Sequence, residues 1–413
     1  MDDKAHTVDV QAPDDADVLR DDPSHLRDRD ADDSARVSFV ELFYDLIFVF
    51  AVTQLAAYLQ ENLTPEGGVR AAVLFVAVWW LWINTTWATN RLDPDADAVR
   101  IAMFALMGGS LAMSMALPQA FEGRALVFVV PYVAMQVGRC LFAARSLARH
   151  AEPAQARTPL RQAAWFAGSG AVWVAGALAE ADLRINLWLL ALAIELLAPW
   201  LRFPVPGLGR ETSRELDIEG EHLSERCGLF VILSLGETLL VTGTRADGMD
   251  WTGTLVAALS VAGATTLAMW WLYFDTGSRR GTRAFDEQPP GRLARVAYTY
   301  LHLPIVAGIV VTAVGDKGLI DHPGDPAGWT DAVTALGGPA LFLLGNFLFK
   351  NATSRRWPLS HLIGLGLLGL GALAVGEVRL LTLAAWALAA LVAVAVLERT
   401  LLRSRGAAER GIK

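Results

Sequence analysis

The residues of this 413-residue chain whose spacing can do chemistry are carboxylates, histidines and arginines set inside otherwise apolar stretches. Glu41 and Asp45 stand four positions apart, which puts both on one face of a helix. Two carboxylates that close can share a proton or hold a cation unless an arginine intervenes. His222, Glu225 and Arg226 open another apolar stretch, and Glu237 follows about three turns later. His222 and Glu225, at i and i+3, have a spacing that metal ligands use in helical bundles. Asn90, Asp93, Asp95 and Asp97 gather at the end of one apolar run and Asp275 at the end of another. Such carboxylates can hold Mg²⁺ bound to substrate phosphates. Gln136, Arg139 and His302, which lies beside Pro304, complete the polar set. The competing reading of each is structural: an ion pair tying two helices, a helix cap, or a hydrogen-bonded interior histidine.

The elements that must position these groups are membrane helices. The chain is 54% apolar and 19% charged, below the charge content of ordinary soluble domains. Residues 1–36 hold twelve Asp against five Lys or Arg, carry almost all of the net charge of −8, and read as a disordered acidic tail. The acidic balance therefore belongs to one tail and implies no nucleic-acid partner. Cys140 and Cys227 lie in apolar runs without a pairing pattern and read as free buried thiols. Stretches near the 20 residues needed to cross a bilayer lie at 38–59, 70–90, 100–120, 124–145, 160–180, 184–202, 222–243, 253–274, 293–315, 332–350, 358–376 and 379–402. This predicts an all-α integral membrane protein of about twelve transmembrane helices. The weakest span is 184–202, which contains Glu195.

Arginine and lysine mark one side. Clusters follow the even-numbered spans, for example Arg145, Arg149, Arg157 and Arg161, or Lys350, Arg355 and Arg356. The links after the odd-numbered spans carry about one each, such as Arg124 or Arg245. Positive charge stays on the cytoplasmic side, so both termini are expected there. The scarcity of Lys (Lys4, Lys317, Lys350 and Lys413) beside abundant Arg hints at a high-GC genome, hence a bacterial plasma membrane. The order of motifs also repeats. Glu41-Leu42-Phe43-Tyr44 answers Glu225-Arg226-Cys227-Gly228, Trp79-Trp80-Leu81-Trp82 answers Trp270-Trp271-Leu272-Tyr273, and Gly138-Arg139-Cys140-Leu141-Phe142 answers Gly345-Asn346-Phe347-Leu348-Phe349. Two parallel six-helix repeats, 37–202 and 222–402, are expected, joined by a cytoplasmic linker at 203–221 and followed by a basic tail at 403–413.

Longer phrases carry a family resemblance. VSFVELFYDLIFVFAVTQL (37–55), WATNRLDPD (87–95), HLSERCGLFVILSLGE (222–237), Tyr300-Leu301-His302-Leu303-Pro304 and Gly337-Gly338-Pro339-Ala340 resemble the bacterial low temperature requirement protein A family. The resemblance spans 37 to about 375. It implies a multi-pass bacterial membrane protein linked to growth at low temperature, a stress adaptation. It also implies Glu41, Asp45, Asn90, Asp93, His222, Glu225, Arg226 and Glu237 as site residues, without giving them roles.

Ionisable groups inside a membrane cost roughly 2.5–3.5 kcal/mol each on insertion scales, so they face a bundle interior and suggest function. The expectation favoured here is a transporter or channel-like protein for protons, cations or a small solute. Glu237 is its midplane site, and Glu41, Asp45, His222 and Glu225 form its cytoplasmic vestibule. The alternative is a membrane-embedded metal-dependent enzyme acting on a lipid or isoprenoid diphosphate, with His222, Glu225 and Asp45 as metal candidates. No organic cofactor is expected.

Overall fold

The computed structural model describes residues 25–27, 36–151, 154–212, 218–275, 290–355 and 357–411, and within these the chain is helical with no strand. The elements are α1 (Phe39–Glu61), α2 (Pro65–Thr89), α3 (Asp97–Ala116), α4 (Ala125–His150), α5 (Arg157–Leu178), α6 (Ala181–Leu201), α7 (Gly220–Ala246) and α8 (Gly253–Tyr273). After the undescribed 276–289 come a short helical turn, a π-helical segment (Ala294–Tyr300), and α9 (His302–Asp321). Then follow α10 (Trp329–Ala335), α11 (Gly337–Ser354), α12 (Leu359–Gly371) and α13 (Leu380–Gly411). Side-chain caps set several starts: Ser38 forms a capping box with Glu41, Thr64 precedes Pro65 at the first turn of α2, and Thr252 caps α8.

Among the described residues, nine helices are long and apolar enough to cross a membrane. Helices also occupy the other three expected spans, but they fall short for identifiable reasons. α5 is rich in Ala and Gly and carries Arg157 and Arg161, while α6 contains Asp182, Arg184 and Glu195. α12, with the turn that extends it, runs only from Leu359 to Ala374.

Each helix finds consistent neighbours. α1 packs on α2 and α3, α2 on α4 and α6, α3 on α4, α4 on α5, and α5 on α6. Further along, α7 packs on α8 and α9, α8 on α11 and α13, α9 on α11, α11 on α12, and α12 on α13. The two groups meet chiefly where α1 touches α7 and α9. The core there is aromatic: Tyr44, Phe48, Trp79, Trp82 and Phe230 are buried, and the Trp82 and Phe230 rings lie 4.3 Å apart. Cys140 and Cys227 are free and buried, as expected.

The α9–α11 seam depends on missing side chains. A Cβ at Gly308 would lie 2.3 Å from the Phe342 backbone nitrogen, and one at Gly338 would lie 2.6 Å from that of Thr312. Small residues of this kind let membrane helices approach closely. Gly308→Val is expected to cost roughly 1–3 kcal/mol through overpacking. Gly318→Ala, where a Cβ meets nothing within 4 Å, serves as the control. Unfolding temperatures of the two variants in detergent check this.

The basic residues are less loop-like than their charge pattern implied. Lys350 is buried, donates to the Leu272 carbonyl at 2.9 Å and pairs with Glu398 at 2.8 Å beside His361. Arg161 is buried too, donating to the Leu208 carbonyl at 2.7 Å. The expectation of a tail without structure over 1–36 fails at 25–27. Leu26 bridges Leu92, and the backbone nitrogen of Asp93 donates to the His25 carbonyl at 3.0 Å. Residues 1–24 and 28–35 of that tail lie outside the described residues.

Candidate functional site

Glu41 and Asp45 leave the first turns of α1 on one face, and both are fully buried. Arg226 of α7 spans them. Its Nη1 donates to Glu41 Oε1 at 2.6 Å and its Nη2 to Asp45 Oδ1 at 2.6 Å. These charge-assisted bonds are short, as ionised partners make them. One turn earlier on α7, His222 Nε2 lies 3.0 Å from Glu41 Oε1.

α2 supplies the surround. Trp82 Nε1 donates to Asp45 Oδ1 at 2.7 Å, and its ring lies 5.7 Å from the Arg226 guanidinium carbon, a cation–π arrangement. Thr89 accepts from Arg226 Nη1 at 3.3 Å. Asn90 exchanges two hydrogen bonds with the backbone of Glu219, at 2.7 and 2.9 Å. That exchange orients its carboxamide so that Nδ2 donates to His222 Nδ1 at 3.1 Å. An imidazole that accepts at Nδ1 carries its proton on Nε2 when neutral, facing Glu41. Asn90→Ala therefore removes a helix-to-linker clamp and the device that orients His222. A loss of about 1–3 kcal/mol, read from unfolding temperature in detergent, is expected.

Arg27, in the segment read as tail, completes the cluster. Its Nη2 donates to Glu41 Oε2 at 3.3 Å and stands 3.1 Å from His222 Nε2, while Nε donates to the Thr89 carbonyl at 3.3 Å. Two carboxylates thus meet two guanidiniums around an imidazole. Burial of charge is tolerable only when paired and hydrogen-bonded, and here nearly every polar atom is. Asp45 Oδ2 and Arg226 Nε are buried without a hydrogen-bond partner.

Beyond the cluster, the α1–α7 seam passes through Phe48, Trp79, Trp82 and Phe230 before reaching Glu237. Eleven residues of helix place Glu237 about 16 Å along from Arg226. Its carboxyl is buried, and neither oxygen has a hydrogen-bond partner. Thr53 of α1 lies near it, with its hydroxyl donating to the Val49 carbonyl at 3.0 Å.

Other sequence candidates lie elsewhere. Glu225 is exposed although its neighbours His222 and Arg226 are buried. Asp93 sits in the turn after α2, where Oδ1 accepts the Asp95 backbone nitrogen at 3.0 Å. Asp97 and Asp95 pair with Arg100, and Asp275 is exposed. His302 is buried in an aromatic nest, with Nε2 2.8 Å from the Tyr273 hydroxyl and Nδ1 2.9 Å from the Ala297 carbonyl. The grouping of His222, Glu225 and Asp45 as metal ligands does not form, because Asp45 and His222 face Arg226 and Glu41 while Glu225 points out. Among the described residues, no three His, Cys, Asp or Glu side chains are grouped to hold a metal ion.

Comparison with known proteins agrees with the motifs. Residues 36–397 match the family described as bacterial low temperature requirement A protein (LtrA). The chain is 41% identical over 352 residues, 84% of each chain, to the uncharacterized protein RA0937 of Rhizobium meliloti (strain 1021). No solved structure matches. The phrases Val37–Leu55 and His222–Glu237, which supply Glu41, Asp45, His222 and Arg226 to the buried cluster, lie inside the matched region, and the chain belongs to the bacterial low temperature requirement A family.

Proposed function

We propose that this protein moves protons, cations or a small solute across a bacterial plasma membrane along the α1–α7 seam. The observation that carries this reading is Glu237, a buried carboxyl without a hydrogen-bond partner that lies beyond a closed cluster of paired charges. A buried carboxyl kept without partners costs stability, whereas proton relays and ion sites in membranes use such groups. The Glu41–Asp45–Arg226–His222–Arg27 cluster acts as the lock on one side, with Trp79, Trp82 and Phe230 as an apolar barrier between lock and site.

The reading includes twelve spans in two parallel halves with both termini cytoplasmic. The neighbour pattern supports the duplication: every pairing made within α1–α6 recurs among α7, α8, α9, α11, α12 and α13 in the same order. One carbonyl match also supports it. Arg139 of α4 donates to the Leu81 carbonyl of α2, and Lys350 of α11 donates to the Leu272 carbonyl of α8. Leu81 and Leu272 occupy the same place in Trp-Trp-Leu-Trp and Trp-Trp-Leu-Tyr. α5, α6 and α12 then complete six helices per half, each lying against spanning neighbours.

The test is purified protein in liposomes containing pH- or cation-sensitive dye, under imposed proton, potassium and sodium gradients. Flux above that of protein-free vesicles is expected for at least one gradient. Absence of flux under all of them overturns the reading for protons and cations.

A further inference from the structure

Comparing the two halves isolates one charge. In the second, Lys350 caps the Leu272 carbonyl and is neutralised by Glu398 of the last helix at 2.8 Å. In the first, Arg139 caps the Leu81 carbonyl at 3.5 Å, but the carboxylate of the sixth helix, Glu195, is taken elsewhere. Glu195 accepts from Tyr132 at 2.5 Å, Ser169 at 2.8 Å and Trp173 at 2.9 Å. Arg139 is left with neutral acceptors: Gln136 Oε1 at 2.6 Å, Thr85 Oγ1 at 3.3 Å and the Leu81 carbonyl. A relay through Gln136 and the Tyr132 hydroxyl joins it to Glu195, and the Phe166 ring lies 5.8 Å from its guanidinium carbon. Arg139 is 6% exposed, and among the described residues no carboxylate lies within ion-pair distance of it. A buried guanidinium in that state carries a desolvation cost that an anion would offset.

Arg139 lines a cavity of about 80 Å³ between α2, α4, α5 and the π-helical segment. Trp80 lines the same cavity, and its Nε1–H is buried without an acceptor. Asn84 adds a carboxamide, while Cys140, Ala143 and Leu147 give an apolar side. Of the other guanidiniums of the wall, Arg295 pairs with Glu211, which also lines the cavity, at 2.5 Å, and Arg91 donates to Gln155 at 2.8 Å.

We infer that this cavity is a binding site for a small organic monoanion, a short-chain carboxylate held by Arg139 and the Trp80 indole with its carbon chain against α4. Arg139 has no carboxylate within ion-pair distance among the described residues, and the fork of its guanidinium matches a carboxylate. The volume has room for about five waters, hence a ligand of roughly four to six non-hydrogen atoms. The site is separate from Glu237 and does not rest on flux through the α1–α7 seam.

Calorimetric titration of the purified full-length protein with acetate, propionate and butyrate tests it, with chloride and inorganic phosphate at equal ionic strength as comparison. Saturable binding of at least one carboxylate is expected, with no saturation by chloride and weaker binding of phosphate. Trp80→Phe, which removes one donor to a charged group, is expected to weaken binding about tenfold. Arg139→Gln is expected to abolish it, but that change also removes the cap on the Leu81 carbonyl. Ala143→Leu, which fills the cavity without altering a charge, provides a second arm with the same expected loss in a folded protein. Glu237→Gln is expected to leave the affinity unchanged, so this site and the flux reading fail separately. Absence of saturation by all three carboxylates overturns the site, as does binding undiminished in both Trp80→Phe and Ala143→Leu. Tighter binding of phosphate overturns the carboxylate assignment.

Discussion

Arg226→Gln is expected to destabilise the protein by about 3–5 kcal/mol, the cost of leaving a buried ion pair without one partner. Arg226 is fully buried and is the charged group that bridges Glu41 and Asp45, at 2.6 Å each. Without it, two carboxylates face each other across one turn of α1 with Arg27 as the remaining guanidinium, bonded to Glu41 at 3.3 Å. Expression in the membrane should fall, and the unfolding temperature in detergent should drop by several degrees. The rescue separates charge from shape: the triple change Glu41→Gln, Asp45→Asn, Arg226→Met removes all three charges at similar volume. Buried triads exchanged for uncharged residues are often neutral or stabilising, so the triple variant should recover most of the loss. If the triple variant is no more stable than Arg226→Gln, pairing is not what holds this junction.

Glu237→Gln should do the reverse, keeping the fold and losing the activity. Neither oxygen of Glu237 has a hydrogen-bond partner, so no native bond is broken. A carboxamide carries no charge to desolvate, and stability should stay level or rise by about 1 kcal/mol. Flux in liposomes, by contrast, should fall at least tenfold, because an amide cannot take up and release a proton or balance a cation. A variant that loses stability and flux together would make Glu237 a structural residue. One that keeps wild-type flux would remove it from the path.

The α1–α7 junction was legible because its grammar is helical. Glu41 and Asp45 stand four apart and remain on one face, and His222 and Arg226 obey the same spacing. Glu225 stands apart by the same geometry: at three positions from His222 and one from Arg226 it rotates off the face that those two share, and it is exposed. Arg27 was hidden by its setting. A guanidinium amid Asp, Ser and Pro reads as solvated, and only the fold brings it back to Glu41 across fourteen positions. Lys350 was counted among loop charges because it ends an apolar run, yet its partner Glu398 lies 48 positions away. Long-range pairing of that kind leaves no local spacing to read. Three of the twelve expected spans are less plain: α5 and α6 carry charged residues, and α12 with its turn is short.

Arg27 has a practical corollary for anyone shortening the chain. Residues 25–27 are held by Leu92, Asp93, Arg91, Glu41 and Thr89. Chains trimmed before His25 keep the second guanidinium of the cluster. Those begun after Arg27 strip a cation from a buried site while deleting what looks like dispensable tail, and they would report on a damaged cluster rather than on the native one.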